Sequence, residues 1–195
     1  MLPAPPDIPI PPGPDGDTKP APGGLGPLRQ LQVRFDPEQD RLLLRASTQR
    51  NAELRCWLTR RMVRLLWPRL MEGLSRRAQA ESKAPEAVRE QVAAFRREAA
   101  LQKADFSKPY DEVPEVTLPL GDAPVLVTRI SVRPTEKGLV LQLLPSQGQG
   151  LTLALDERLL YSICELIRRT AQVAEWDLDL RVPEVSSPAS PSAAH

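Results

Sequence analysis

The side chains that run most enzyme chemistry near neutral pH are sparse in this sequence. Histidine, the usual general base, occurs once, as His195 at the end of the chain. This sets aside Ser-His and Cys-His hydrolysis and His-based metal sites together. Cys56 and Cys164 fall on apolar faces and in no C-x-x-C pair. We read them as buried thiols of a reducing compartment rather than nucleophiles. Carboxylate chemistry has one candidate location: Asp105, Asp111, Glu112 and Glu115 cluster beside Lys108 and Tyr110 in an irregular Pro-rich stretch. A loop on a rigid scaffold is where acid-base residues would sit, and a solvated loop with ordinary charges is the plainer reading. Gly148 and Gly150 resemble half of a phosphate-binding pattern. They fall between two predicted strands with no helix start behind them, which makes a hairpin turn. No cofactor and no metal is expected, and the chain reads as a non-enzyme.

The basic residues are the stronger signal. Arg55, Arg60, Arg61, Arg64, Arg69, Arg76 and Arg77 decorate a predicted strand and the helix that follows it. Arginine binds phosphate bidentately, so such a set suits nucleic acid. Against that use, Glu53, Glu72, Glu81 and Glu86 lie close by, aromatic residues make up only 4% of the chain and give few rings for bases to stack on, and no nucleic-acid motif occurs. The same helix face suits a protein partner. Leu65 lies far round the helix from the apolar stripe, among Arg61, Arg69 and Glu72, as an interface centre with a charged rim would. We therefore expect a non-catalytic protein whose partner-binding residues are Arg60, Arg61, Arg64, Leu65, Arg69 and Glu72, with a protein partner or self-association. A nucleic-acid role for the same arginines is the first alternative, and an enzyme built on the loop carboxylates the second.

The formal net charge is +1, which selects no partner by itself. Its distribution is uneven: residues 40–103 hold about fifteen basic and seven acidic side chains, and the rest of the chain beyond them about eight and thirteen. Nothing in the first residues reads as a signal peptide, and no apolar run approaches a membrane span. We expect a cytoplasmic protein. Arg outnumbers Lys by about four to one, a coding bias that suggests a bacterial, high-GC source.

These side chains must be carried by some scaffold, and the hydrophobic pattern supplies it. The pattern of residues 31–70 returns about 97 residues later, over 128–167, without a gap. Val33, Leu42, Leu44, Leu54, Cys56, Leu58, Met62 and Leu66 fall on Ile130, Leu139, Leu141, Leu151, Leu153, Leu155, Leu159 and Ile163. We expect an α+β fold of two internal three-strand-plus-helix repeats, an antiparallel sheet covered by helices, with an inserted helical hairpin. The domain spans 29–182: repeat one 31–70, helical insertion 71–103, irregular loop 104–124, repeat two 125–180. Residues 1–28, dense in Pro and Gly, and 183–195 read as disordered tails.

Within repeat one, the alternation predicts a three-stranded meander with one wet face bearing Arg34, Arg45, Glu53 and Arg55, and turns at 36–40 and 47–51. Thr59 caps a helix that Pro68 should kink and Gly73 weaken. After a loop at 82–84, Pro85 opens a second helix whose stripe of Val88, Val92, Phe95 and Ala99 should pack across the first. Prolines every five residues make 106–124 irregular, with a short edge strand over 116–120. Strands over 125–132, 139–143 and 151–155 follow, then a helix capped by Asp156 and a closing strand in which Trp176, Leu178 and Leu180 alternate with polar residues.

Overall fold

A computed structural model describes residues 26–80, 86–103, 110–136 and 138–182. Residues 1–25 of the expected tail 1–28, the tail over 183–195, the loop at 82–84 with Pro85, and Asp105 and Lys108 lie outside these residues, and Leu28, expected in the first tail, already opens the first strand.

Leu42, Leu44, Cys56 and Leu58 recur at period two, so two strands that place them opposite one another bury one continuous apolar face. Strands β1 (Leu28–Asp36), β2 (Arg41–Thr48) and β3 (Glu53–Thr59) form that antiparallel meander. Leu42 faces Leu58 and Leu44 faces Cys56, all with no exposed surface. At the first turn the Asp36 carboxylate accepts from the amides of Glu38 and Gln39 (3.1 and 3.0 Å), and Asp40 takes a positive φ of 46°. A second sheet repeats the order with β5 (Arg129–Thr135), β6 (Gly138–Leu144) and β7 (Leu151–Asp156). There Leu139 faces Leu155 and Leu141 faces Leu153.

The expected strand over 125–132 is divided between the sheets. β4 (Val125–Leu126) pairs in parallel with β3, and the chain then crosses to β5. The amide of Val127 donates to the carbonyl of Trp57 (3.0 Å) and that of Thr128 to Leu144 (2.9 Å), so two adjacent residues belong to different sheets. The edge strand expected over 116–120 reduces to one bridge, Ala52 with Thr117.

Two helices close the core crosswise. Helix α1 (Arg60–Ala80) begins where the Thr59 hydroxyl accepts from Met62 (3.3 Å) and continues past Pro68 to Ala80. Helix α3 (Glu157–Val173) is capped by the Asp156 carboxylate accepting from Leu159 (2.8 Å). Each follows a strand of its own sheet yet lies across the other: α1 against β5 and β6, α3 against β1. Gly73 is what lets α1 come so close. A Cβ there would sit 2.6 Å from Leu139 Cδ2, so a side chain at this position would have to displace the end of that leucine. Met62, Val63, Leu66 and Leu70 from α1 and Leu160, Ile163 and Ile167 from α3 fill the centre.

Helix α2 (Glu86–Lys103) differs from expectation. Val88, Val92 and Phe95 point to solvent, Phe95 with 73% of its surface exposed, while α2 meets α3 more than α1 and buries Ala100. The 4-3 spacing marked a helix face correctly, but period alone does not say which face docks. The closing strand is also absent. Trp176 and Leu180 are buried, as the alternation implies, but the amides of Leu178 and Leu180 donate to carbonyls two residues back (2.7 and 3.0 Å) instead of to a sheet. Side chains hold this segment: the Trp176 indole donates to Asp40 (2.8 Å) and meets Phe35 edge to face at 6.2 Å.

Candidate functional site

Helix periodicity places Leu65, Arg69, Glu72 and Arg76 in one row, at spacings of four, three and four, on the side of α1 opposite its buried stripe. Leu65 keeps 38% of its surface exposed. Arg61, Arg64 and Arg69 are exposed, and none of them has a hydrogen bond or ion pair among the described residues. Glu72 is held by Arg76 at 2.6 Å. Arg60 turns aside, its guanidinium donating to the carbonyl of Asp177 (3.1 Å), which ties the start of α1 to the segment over 176–182. Of the residues expected to bind a partner, five therefore share one surface, and Arg60 has a structural bond. Arg55 lies on β3 and bonds Glu53, apart from this surface, and the side chain of Arg77 lies outside the described residues.

Beside that row is a recess of about 150 Å³. Val132, Pro134 and Leu139 form its apolar side, and Arg69, Glu72, Gly73 and Arg76 its helical side. Only the helical half was legible in sequence, since the apolar half comes from strands some sixty residues on. A larger open groove, about 840 Å³, lies between α3 and the 176–182 segment, where Arg97, Arg168 and Arg181 surround Trp176 and Leu180. Two of its arginines are occupied: Arg168 bonds Glu165 (2.8 and 3.0 Å) and Arg181 bonds Asp179.

The loop carboxylates are engaged in structure. Asp111 pairs with Arg29 (2.8 Å), and Glu112 takes both terminal nitrogens of Arg45 (2.7 and 2.8 Å). The loop thereby lies on the sheet face expected to be wet. Beneath it Glu53 is only 2% exposed, its carboxylate accepting from Arg45 (3.0 and 3.1 Å), from Arg55 and from the Tyr110 hydroxyl (2.8 Å). The Arg45 guanidinium stacks 4.0 Å from the centre of the Tyr110 ring. Burial works to raise the Glu53 carboxyl, and the bonds from Arg45, Arg55 and Tyr110 outweigh it, holding it below the ordinary range. Burial pushes Tyr110 up to about 12. An acid ionised at neutral pH and a hard-to-ionise phenol offer no proton exchange there. Burial likewise pushes the Cys56 thiol up to about 12 and raises Cys164, so neither forms a thiolate readily.

Among the described residues no three His, Cys, Asp or Glu side chains converge to hold a metal, and no helix is long and apolar enough to cross a membrane. No protein-family model matches the chain, and no curated protein or solved structure is significantly similar to it.

Proposed function

We propose that this is a non-catalytic protein that acts by binding another protein through the exposed face of α1. The carrying observation is Leu65, 38% exposed on a helix face whose Arg61, Arg64 and Arg69 have no partners among the described residues. An apolar centre ringed by charge is the usual anatomy of a protein interface, in which one central side chain carries much of the affinity. Nucleic acid is the second reading, favoured by the same three unpartnered arginines. An enzyme reading would draw on the loop carboxylates, of which Asp111 and Glu112 are held by Arg29 and Arg45.

We further propose that the two meander-and-helix units are copies of one ancestral unit, with α2 as an insertion into the first. The pairs Leu42 with Leu58 and Leu139 with Leu155 support this, each partner standing 97 positions from its counterpart. The leading strands do not keep that spacing. Val33 faces Leu44, whereas Leu141 faces Val132 rather than Ile130, since the first hairpin turn is longer by two residues. A two-residue slip preserves the face, so the core is unaffected. Two free, buried cysteines accord with a reducing, cytoplasmic setting.

The test is binding by the full chain. Protein captured from cells of the source should persist after nuclease treatment and be lost with Leu65→Ala, while single arginine changes alter mainly the association rate. Micromolar affinity for mixed-sequence DNA or RNA at low salt, lost in Arg61→Ala/Arg64→Ala but kept in Leu65→Ala, would sink the protein reading.

A further inference from the structure

We infer that the recess between α1 and the β5–β6 hairpin is the pocket of this interface, and that it receives one apolar side chain from a segment whose flanking residues are acidic. The inference rests on the protein-binding reading above and names the chemistry of the partner.

Size sets the first limit. A cavity near 150 Å³ matches an engineered void of about 150 Å³ that holds benzene. A Leu or Met side chain is of that size. The lining sets the second. Val132 and Pro134, over the buried Leu139, present aliphatic carbon and no aromatic ring, so the recess rewards burial of an alkyl group and gives a nucleobase nothing to stack on. Gly73 is part of the design: a side chain there would enter the space that Leu139 and the recess share.

The rim sets the charge. Glu72 is neutralised by Arg76, while Arg69 has no partner among the described residues, and Arg61 and Arg64 continue the same sign along α1. A carboxylate beside the inserted group would meet Arg69, whose planar fork suits it. Leu65 adds direction. It stands eight residues before Gly73, about 12 Å along a helix, a distance that roughly four extended residues span. The partner segment therefore carries an alkyl anchor for the recess, acidic residues beside it, and a weaker apolar contact for Leu65.

The probes are three synthetic pentapeptides, Glu-Glu-Leu-Glu-Glu, Glu-Glu-Ala-Glu-Glu and Lys-Lys-Leu-Lys-Lys, titrated into the isotope-labelled full chain with amide shifts read by NMR. The first should shift the amides of Gly73 and Leu139 saturably, and the other two should bind about tenfold more weakly. Pro134→Trp, at an exposed position on an edge strand, should fill the recess and abolish these shifts with the melting temperature unchanged. Should that variant not fold, Arg69→Glu must reverse the preference between acidic and basic peptides. Equal binding of the leucine and alanine peptides, no saturable shift, or displacement of the peptide by a mixed-sequence oligonucleotide at those amides would overturn the inference. If cellular partner capture is lost with Leu65→Ala but kept with Pro134→Trp, the recess fails and the α1 interface stands. If both variants keep it, both fail.

Discussion

The two sheets turn matching apolar pairs toward the core and differ in one matched pair on their other faces. On the first, Arg45 stands directly across from Arg55, a like-charged pair that would repel if left alone. Glu53 beneath and Glu112 above neutralise it, and Tyr110 covers it. On the second sheet the same two positions hold Gln142 across from Thr152, both uncharged. At these positions the charged pair and its covering segment occur together on the first sheet, and the second sheet has an uncharged pair. The segment over 110–117 is thus a strap, fastened by charge at one end and at the other by backbone bonds of Thr117 to Asn51 and Glu53 (2.9 Å each). It explains why Glu53 is buried at all.

Six substitutions break or sharpen this contrast. The core pairs should respond alike. Leu58 and Leu155, each ending a strand before a helix, are 0% and 2% exposed, so Leu58→Ala and Leu155→Ala should each cost about 2 to 5 kcal/mol in chemical denaturation. A loss below about 0.5 kcal/mol in only one of them would end the equivalence of the units.

The outer faces should respond unlike. Arg45→Ala leaves Glu53 buried with Arg55 and Tyr110 as its remaining partners, and should cost about 3 kcal/mol, whereas Gln142→Ala should cost under about 0.5. Acid sharpens this further. Glu53 is held below the ordinary carboxylate range, and Glu165, bonded by Arg168 and Arg169, falls from 4.5 to about 2. A lowered folded-state value means stability that is present above the unfolded value and lost as pH falls through the folded one. Stability should therefore decline from about pH 4.5 toward 2, and Glu53→Gln should flatten part of that decline, read from denaturation midpoints across the range. Within the strap a smaller effect than that of Arg45→Ala belongs to Tyr110→Phe. Losing one bond to a carboxylate should cost about 1.5 kcal/mol and speed hydrogen exchange at Thr117, leaving amides of the second sheet unchanged.

A mixed α+β chain was legible because periods of two and 3.6 report burial directly, and Leu42, Leu58, Leu139 and Leu155 sit where those periods put them. The face of the first sheet was misread for a physical reason. Charged residues usually mark solvent, and Glu53 is buried only because a segment nearly sixty residues away brings Tyr110 and Glu112 over it. Nothing local to Glu53 signals that. Val88, Val92 and Phe95 fail in the opposite sense, since apolar spacing implies a buried face and none covers them among the described residues. Half of the recess was likewise out of reach, because Val132 and Pro134 join Arg69 only through the crosswise docking of α1.

That crosswise docking sets a schedule for the chain as it is made. The Thr170 hydroxyl on α3 donates to the carbonyl of Val33 on β1 (3.2 Å), a bond between residues 137 apart in the chain. At synthesis rates of about 5 to 20 residues per second, the first meander is complete roughly 6 to 23 s before the helix that covers it exists. Its apolar side waits through that interval beside its own α1, whose packing partner β5 is itself still to come. Translation speed through the second half of the message therefore controls how long an uncovered sheet is available to aggregate.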